Sequence, residues 1–279
     1  MSDNFYDEIE KALKDKETYN NKRYEADKEM LEKYVDVEKI MLEKYVDVEK
    51  IKLGNLEYIY FISTLINSCY STRMGADRLF ATAIWLSGNK NCIKIKDILT
   101  KEALDNNDLD FINGICNQKI EGVLGGVKFH SHSFITKFLK IHDKYGKTRK
   151  IFPIYDGNVV AVIKEYKLNE IDTLKEIVNS ENAKSKEEAI KILEELEKEK
   201  TKTKTKTLDI KNYVLFYKIM SILTIVLGTN FHDLDQAFWK LGKDILDKQR
   251  KEREEKRREE KRREEKRREE KKRKKRKKE

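Results

Sequence analysis

The residue types that could form a site are concentrated between Gly122 and Asp156. This passage holds a glycine-rich segment, Lys128, a basic insert and a turn, Pro153–Asp156. Pro153 is the one proline of the chain, and its ring fixes the backbone ahead of Asp156. A lone acid on a fixed turn, beside cations that can contact an anionic ligand, predicts a site here. The cations of the insert are Lys144, Lys147, Arg149 and Lys150.

Three short motifs resemble those of known proteins. They are Ser-Phe-x-x-Lys-Phe at 133–138, Pro-Ile-Tyr-Asp at 153–156 and Leu-Asp-x-x-Phe-Trp at 234–239. Together they resemble a set of uncharacterised prokaryotic helical proteins and, more distantly, the helix-hairpin-helix DNA glycosylase superfamily. The resemblance covers roughly residues 56–165 and 208–246.

The resemblance implies specific roles in base excision. In such enzymes the hairpin binds a phosphate, and a carboxylate stabilises the oxocarbenium-like state as a flipped base leaves. By this likeness Asp156 is the catalytic carboxylate, Lys128 is the amine that forms a Schiff base, and Gly125, Gly126 and Val127 form the phosphate-binding turn. The alternatives are a helix N-cap for Asp156 and an ordinary surface lysine for Lys128.

Further nucleic-acid contacts are predicted in the insert and in the C-terminal tail. They are His130, His132, Lys147, Arg149, Lys150, Lys271, Lys272, Arg273, Lys274, Lys275 and Arg276. Helix capping is an alternative for the two histidines. A metal site formed by them with Cys116 is not favoured, because side chains two residues apart diverge on a helix. No metal or other cofactor is predicted. Trp85 and Trp239 are interpreted as core aromatics, and the alternative is that they stack on a base, as Tyr155 could.

Composition and charge favour an all-α protein. The 279 residues are 40% charged and 38% hydrophobic, with 11 glycines, which favours long uninterrupted helices. The net charge of +10 belongs entirely to residues 250–279, because the other residues sum to zero. The tail is therefore expected to bind nucleic acid non-specifically and in a salt-sensitive way. The alternative is a solvated helix that binds nothing.

The sequence predicts three regions. Residues 30–40 and 41–51 are identical, and an 11-residue period fits about three helical turns, so residues 1–52 are predicted to form one long helix. That helix either extends the body without a new function or forms a homodimer. Residues 53–246 form a compact helical body, helix-hairpin-helix glycosylase-like, with a polar helical arm and linker at 168–207. Residues 247–279 form a charged single helix with a basic end.

Local signals predict several element boundaries. The apolar run 213–227 predicts a buried helix. Asp233 and Gln236 predict a capping box for the last helix, and Asp97 and Asp108 are predicted N-caps. The segment 122–126 is predicted to be a turn. The alternating tract 201–207 is predicted to be a linker.

These observations favour a nucleic-acid-associated helical protein, a degenerate glycosylase-like module. One alternative is a scaffold that assembles through its terminal helices, and another is an active base-excision glycosylase. Three widely spaced cysteines predict a reducing, cytoplasmic location. No membrane association is predicted, because the longest apolar stretch, 213–227, is short for a bilayer.

Overall fold

The structure is a computed structural model. It describes residues 2–14, 63–64, 76–100, 104–117, 119–122, 125–128, 132–145, 152–180, 183, 186–203 and 207–276. Within these residues the chain forms ten helices and one two-stranded hairpin. The predicted all-α character is confirmed, with the hairpin as a small addition.

The elements follow one another in this order along the described chain. They are α1 (Ser2–Lys14), α2 (Ala76–Ser87), α3 (Asn89–Thr100), α4 (Asn106–Asn117), β1 (Lys119–Gly122), β2 (Gly125–Lys128), α5 (His132–Tyr145), α6 (Gly157–Glu165), α7 (Ile171–Asn179), α8 (Glu187–Thr203), α9 (Tyr213–Leu227) and α10 (Phe231–Arg276).

Helix α9 is the centre of the core, and its predicted bounds are confirmed. It packs against α4, α7, α8 and α10, because apolar side chains occupy more than one of its faces. The side chain of Asn212 caps its first turn, and Gly228 ends it in the left-handed conformation with φ of 58°. No single described helix is long and apolar enough to span a membrane; α9 and α10 meet those criteria only together, across a bend of 101°.

A β-hairpin connects α4 to α5. Strands β1 and β2 are antiparallel, with Gly122 opposite Gly125 and Lys119 opposite Lys128. The predicted turn at 122–126 is therefore wrong in extent, because Gly122, Gly125 and Gly126 belong to the strands. The hairpin packs through β1 on α2.

The N-terminal helix packs on the body of its own chain. Phe5, Tyr6, Ile9 and Ala12 are buried, and α1 lies against α7 and α10. The hydroxyl of Tyr6 donates to the carbonyl of Ile177 at 2.7 Å. The tandem repeat at 30–51 lies outside the described residues.

The predicted arm at 168–207 is a helix pair packed on the core. Helix α7 contacts α8, and α8 contacts α9. The N–H of Leu208 donates to the carbonyl of Asn169 at 2.8 Å, which brings the two ends of the arm together. Helix α8 reaches Thr203, so the first part of the tract predicted to be a linker is helical.

Three predicted helix starts are wrong. Asp97 lies inside α3. Asp108 is in the first turn of α4 and exchanges side chain–backbone hydrogen bonds with Asp105, a reciprocal cap. Helix α10 begins at Phe231, where the side chain of Asn230 accepts from the N–H of Asp233 at 3.0 Å. Each true start lies two or more residues before the predicted one. For α4 and α10, a polar residue upstream, Asp105 or Asn230, takes the capping role.

Helices α6 and α10 approach so closely that one position must be glycine. A Cβ on Gly242 of α10 would lie 2.1 Å from the carbonyl oxygen of Asn158 in α6. Side chains cannot be accommodated at that separation, so the two backbones touch directly. This contact lies beside the turn that carries Asp156 and fixes the start of α6 against α10.

We expect Gly242→Ala to destabilise the fold by at least about 2 kcal/mol, because the added methyl must push two backbones apart. The measurement is urea unfolding followed by circular dichroism. Gly114→Ala is the control, since a Cβ at that helical position meets nothing within 4 Å and alanine is favoured over glycine by up to about 1 kcal/mol. Equal midpoints for the two variants would contradict the close contact.

Candidate functional site

Three helices hold the turn Pro153–Asp156 by its backbone. The hydroxyl of Tyr213 in α9 donates to the carbonyl of Pro153 at 3.4 Å. The carboxylate of Asp235 in α10 accepts from the N–H of Ile154. The hydroxyl of Thr136 in α5 accepts from the N–H of Tyr155 at 3.1 Å. These hydrogen bonds from three helices fix the backbone of the proline-containing turn, and they therefore also fix the position of Asp156.

Asp235 is the buried anchor of this arrangement. Only 5% of the residue is exposed, and both carboxylate oxygens lie 3.1 Å from the N–H of Ile154. The ammonium of Lys140 donates to the same carboxylate at 2.6 Å. Burial raises the pKa of Asp235 to about 6, although Lys140 and the Ile154 N–H act to lower it; the nearby charge of Asp156 raises it further.

Asp156 caps α6, as the simpler of the two alternatives predicts. Its Oδ1 accepts from the N–H groups of Asn158 and Val159, each at 3.0 Å. Both capping bonds use this one oxygen, while Oδ2 is directed toward Lys137 of α5. The cap thus orients the carboxylate and leaves its second oxygen beside an amine.

Lys137 is the amine next to Asp156. Its Nζ lies 3.8 Å from Oδ2 of Asp156 and 2.9 Å from the hydroxyl of Ser133. Its side chain is only 7% exposed, against 14% for Asp156. Burial lowers the pKa of Lys137, while the charges of Asp156 and Asp235 partly oppose that effect. Desolvation increases the neutral, nucleophilic fraction of an amine at a given pH.

The two lysines of α5 are bound in different ways. Lys140 makes a direct, charge-assisted hydrogen bond to Asp235, at 2.6 Å. Lys137 lies 3.8 Å from Asp156, longer than the 2.7–2.9 Å or so of such a bond. Lys140 therefore makes a direct, hydrogen-bonded ion pair with Asp235, whereas Lys137 and Asp156 form a longer ion pair.

His132 has a structural role in this structure. It is buried, and its Nε2 lies 2.8 Å from the carbonyl oxygen of Lys211. Its ring packs 4.9 Å from that of Tyr155, which also meets Phe216 at 5.1 Å. This replaces the predicted nucleic-acid contact of His132, since the ring joins the start of α5 to the turn before α9.

The other predicted site residues are placed only in part. Lys128 ends β2, opposite Lys119, and its side chain is outside the described set. Gly125, Gly126 and Val127 lie in β2, paired with β1. Their phosphate-binding role stays a prediction. Strand β1 packs on α2, whereas the Asp156 turn is held by α5, α9 and α10. His130, Lys147, Arg149 and Lys150 lie outside the described residues.

The predicted tail contacts lie at the end of α10, and the two tryptophans differ in exposure. Residues 271–276 belong to α10, with side chains that are not described. Trp85 is partly buried against the core, as predicted. Trp239 is 42% exposed, so its interpretation as a core aromatic is wrong. The ammonium of Lys243 lies 5.4 Å from the centre of the Trp239 ring, within cation–π range.

Sequence reasoning did not select Lys137, Lys140 or Asp235 as functional residues. Two of them were nevertheless inside the quoted motifs, since Lys137 belongs to 133–138 and Asp235 to 234–239. The available signal was a charged residue within a strongly apolar helical run, where Phe134, Phe138 and Leu139 are all buried. A charge in such a place is retained only with a partner.

Comparisons with protein-family models, with curated proteins and with solved structures give no match for this chain. Among the described residues, no group of three or more histidine, cysteine, aspartate or glutamate side chains could hold a metal ion. The function must therefore be argued from the Lys137–Asp156 pair itself.

The titration of Asp235 tests the electrostatics of this cluster. We expect its carboxyl carbon to titrate near pH 6 by NMR, against about 4 for an ordinary aspartate. Lys140→Gln should raise this pKa, because it removes the nearby cation, and Asp156→Asn should lower it, because it removes a nearby anion. Shifts in the same direction for both variants would contradict the arrangement.

The same pKa gives a signed effect on stability. The folded state binds the Asp235 proton more tightly than the unfolded chain does, so this group's contribution to the free energy of unfolding falls as pH rises from about 4 to about 6. In Asp235→Asn, the free energy of unfolding should lose this part of its pH dependence. Urea unfolding at pH 4.5 and 7 measures the difference between the two proteins.

Proposed function

We propose that this protein binds nucleic acid and cleaves the N-glycosidic bond of a flipped nucleotide. Lys137 is the nucleophile and Asp156 the carboxylate beside the sugar. The observation that supports this proposal is a buried amine of lowered pKa held 3.8 Å from a carboxylate on a fixed turn. The resemblance to helix-hairpin-helix glycosylases supports the same chemistry, with Lys137 in place of Lys128 as the amine.

The proposed reaction begins with the neutral amine. The lone pair of Lys137 Nζ attacks C1′ of the sugar, the C1′–N bond breaks, and the base leaves with that electron pair. The ammonium on C1′ then gives up one proton, which the departing base takes. The nitrogen lone pair next expels O4′, which takes a proton from water, and the hydroxide so formed takes the last N–H proton, so that a neutral imine joins Nζ to C1′. Hydrolysis of the imine releases the sugar aldehyde and restores the lysine.

Asp156 has two roles in this scheme that one side chain can perform together. Its Oδ1 holds the helix cap, and its Oδ2 provides negative charge where positive charge develops on the sugar. The low-dielectric surroundings strengthen that interaction. A cap alone explains Oδ1 but gives no reason for a buried, desolvated lysine opposite Oδ2.

Borohydride trapping tests the proposed imine. The protein is incubated with a duplex that contains an abasic site, and borohydride reduces any imine to a stable amine crosslink. We expect the crosslink on Lys137, identified by peptide mapping, because the lysine-rich tail could also react with an aldehyde. Lys137→Gln should reduce trapping at least about a hundredfold, while Lys128→Gln should leave it unchanged. Crosslinks confined to the tail would refute the nucleophile assignment.

Asp156→Asn isolates the charge of the carboxylate from the cap. Asparagine caps helices about as well as aspartate, so we expect the fold to be retained, with some loss of stability because Lys137 loses its neighbouring anion. Base release from duplexes that carry deaminated, oxidised or alkylated bases should fall about a hundredfold or more if the wild-type protein releases one of them. Unchanged release by Asp156→Asn would leave the capping role alone.

We also propose that the tail contributes non-specific affinity for nucleic acid. Affinity for duplex DNA should fall steeply between about 50 and 200 mM salt, with a slope that reflects the number of phosphates contacted. Deletion of 251–279 should reduce this slope and leave residual binding by the body. The described side chains of 251–269 are all exposed, so the deletion spares the core. If all binding disappears with the tail, the body is not a nucleic-acid module.

A further inference from the structure

Helix α10 links the candidate site to the cationic end of the chain without a break. It runs from Phe231 to Arg276 as one helix, and it carries both Asp235 and the close-contact residue Gly242. The described side chains of 248–269 are exposed, so this part of α10 projects away from the core. At about 1.5 Å per residue, Lys271 lies about 54 Å along the axis from Asp235.

The charges along this projection are unevenly distributed. Residues 251–270 contain 11 basic and 9 acidic residues, whereas residues 271–278 are eight consecutive cations. We call residues 251–270 the shaft of α10. Within it, Arg263 pairs with Glu259 and Arg268 with Glu264, each one turn apart. Such pairs support an exposed helix by a few tenths of a kcal/mol each. Residues 251–270 thus carry a net charge of only +2, since 11 − 9 = 2, and the attraction for a polyanion is located at the end of the helix that follows them.

We propose that α10 acts as a spacer that places its cationic end, residues 271–276, on the phosphates of the same duplex that occupies the site. This inference rests on the proposed function for the identity of the partner. A distance of about 54 Å corresponds to about 16 base pairs at 3.4 Å each. The protein therefore contacts the duplex at two separated places and favours duplexes long enough to reach both.

Nucleic acid fits this arrangement better than another polyanionic surface does. A helix that holds its charge at one end suits a partner that is itself rod-like and charged at regular intervals. The shaft lacks the apolar face with which an amphipathic helix lies on a bilayer, because no apolar side chain occurs between 247 and 279. Linking two contacts on one partner raises affinity only when the spacer matches their separation.

The test is a length series of duplexes with a tetrahydrofuran abasic analogue near one end, measured by fluorescence anisotropy. We expect affinity to rise at least about tenfold once the arm beside the analogue exceeds about 16 base pairs. Deleting residues 255–264, two copies of the pentad Glu-Lys-Arg-Arg-Glu, shortens the shaft by about 15 Å and should move the rise to about 12 base pairs. Deleting 271–279 should abolish it.

Other outcomes would contradict the spacer or its partner. If the length threshold stays at about 16 base pairs after deletion of 255–264, or if affinity does not depend on duplex length, α10 is not a spacer. Tighter binding to phosphatidylserine vesicles than to the long duplex overturns nucleic acid as the partner of the cationic end. The length series uses an analogue that cannot form an imine, so failure of borohydride trapping at Lys137 would refute the proposed chemistry while a length threshold still supports the spacer.

Discussion

The buried carboxylate of Asp235 is the interaction on which the site depends. It joins α10 to the backbone of Ile154 and to Lys140 of α5, so one side chain connects three segments distant in sequence. A buried carboxylate is costly unless it is paired and hydrogen-bonded, and here both requirements are met. Removal of Asp235 would leave the half-buried ammonium of Lys140 without its ion-pair partner and the N–H of Ile154 without its acceptor, on the turn that positions Asp156.

This anchoring accounts for the different character of the two lysines. Lys140 is committed to Asp235, which leaves Lys137, one turn earlier on α5, as the lysine beside Asp156. The backbone contact between Gly242 and Asn158, two residues from Asp156, holds the start of α6 in place. Packing beside the site thereby fixes the backbone that carries the carboxylate, 3.8 Å from the amine of Lys137.

The sequence sufficed for elements defined by local pattern and failed where contacts are distant. Helix α9 was predictable because fifteen mainly apolar residues are bounded by Asn212 and Gly228, which are both local signals. The hairpin was read as a turn, since strands of four residues rich in glycine have little strand character. The sequence favours Lys128 because it is close to the glycines along the chain, whereas Lys137 meets Asp156 only when α5 and the Asp156 turn come together in the fold.

Helix α10 shows how one element can be stabilised by two mechanisms along its length. Up to Ile245 it is held by packing, with Leu234, Ala237 and Phe238 buried. The side chains of 248–269 are exposed, and in that part of the described chain surface ion pairs such as Glu264–Arg268 support the helix. A flexible linker would spread the cationic end over a broad range of distances, while a helix restricts it to one. In the proposed spacer, continuity of the helix gives the cationic end a defined distance from the site.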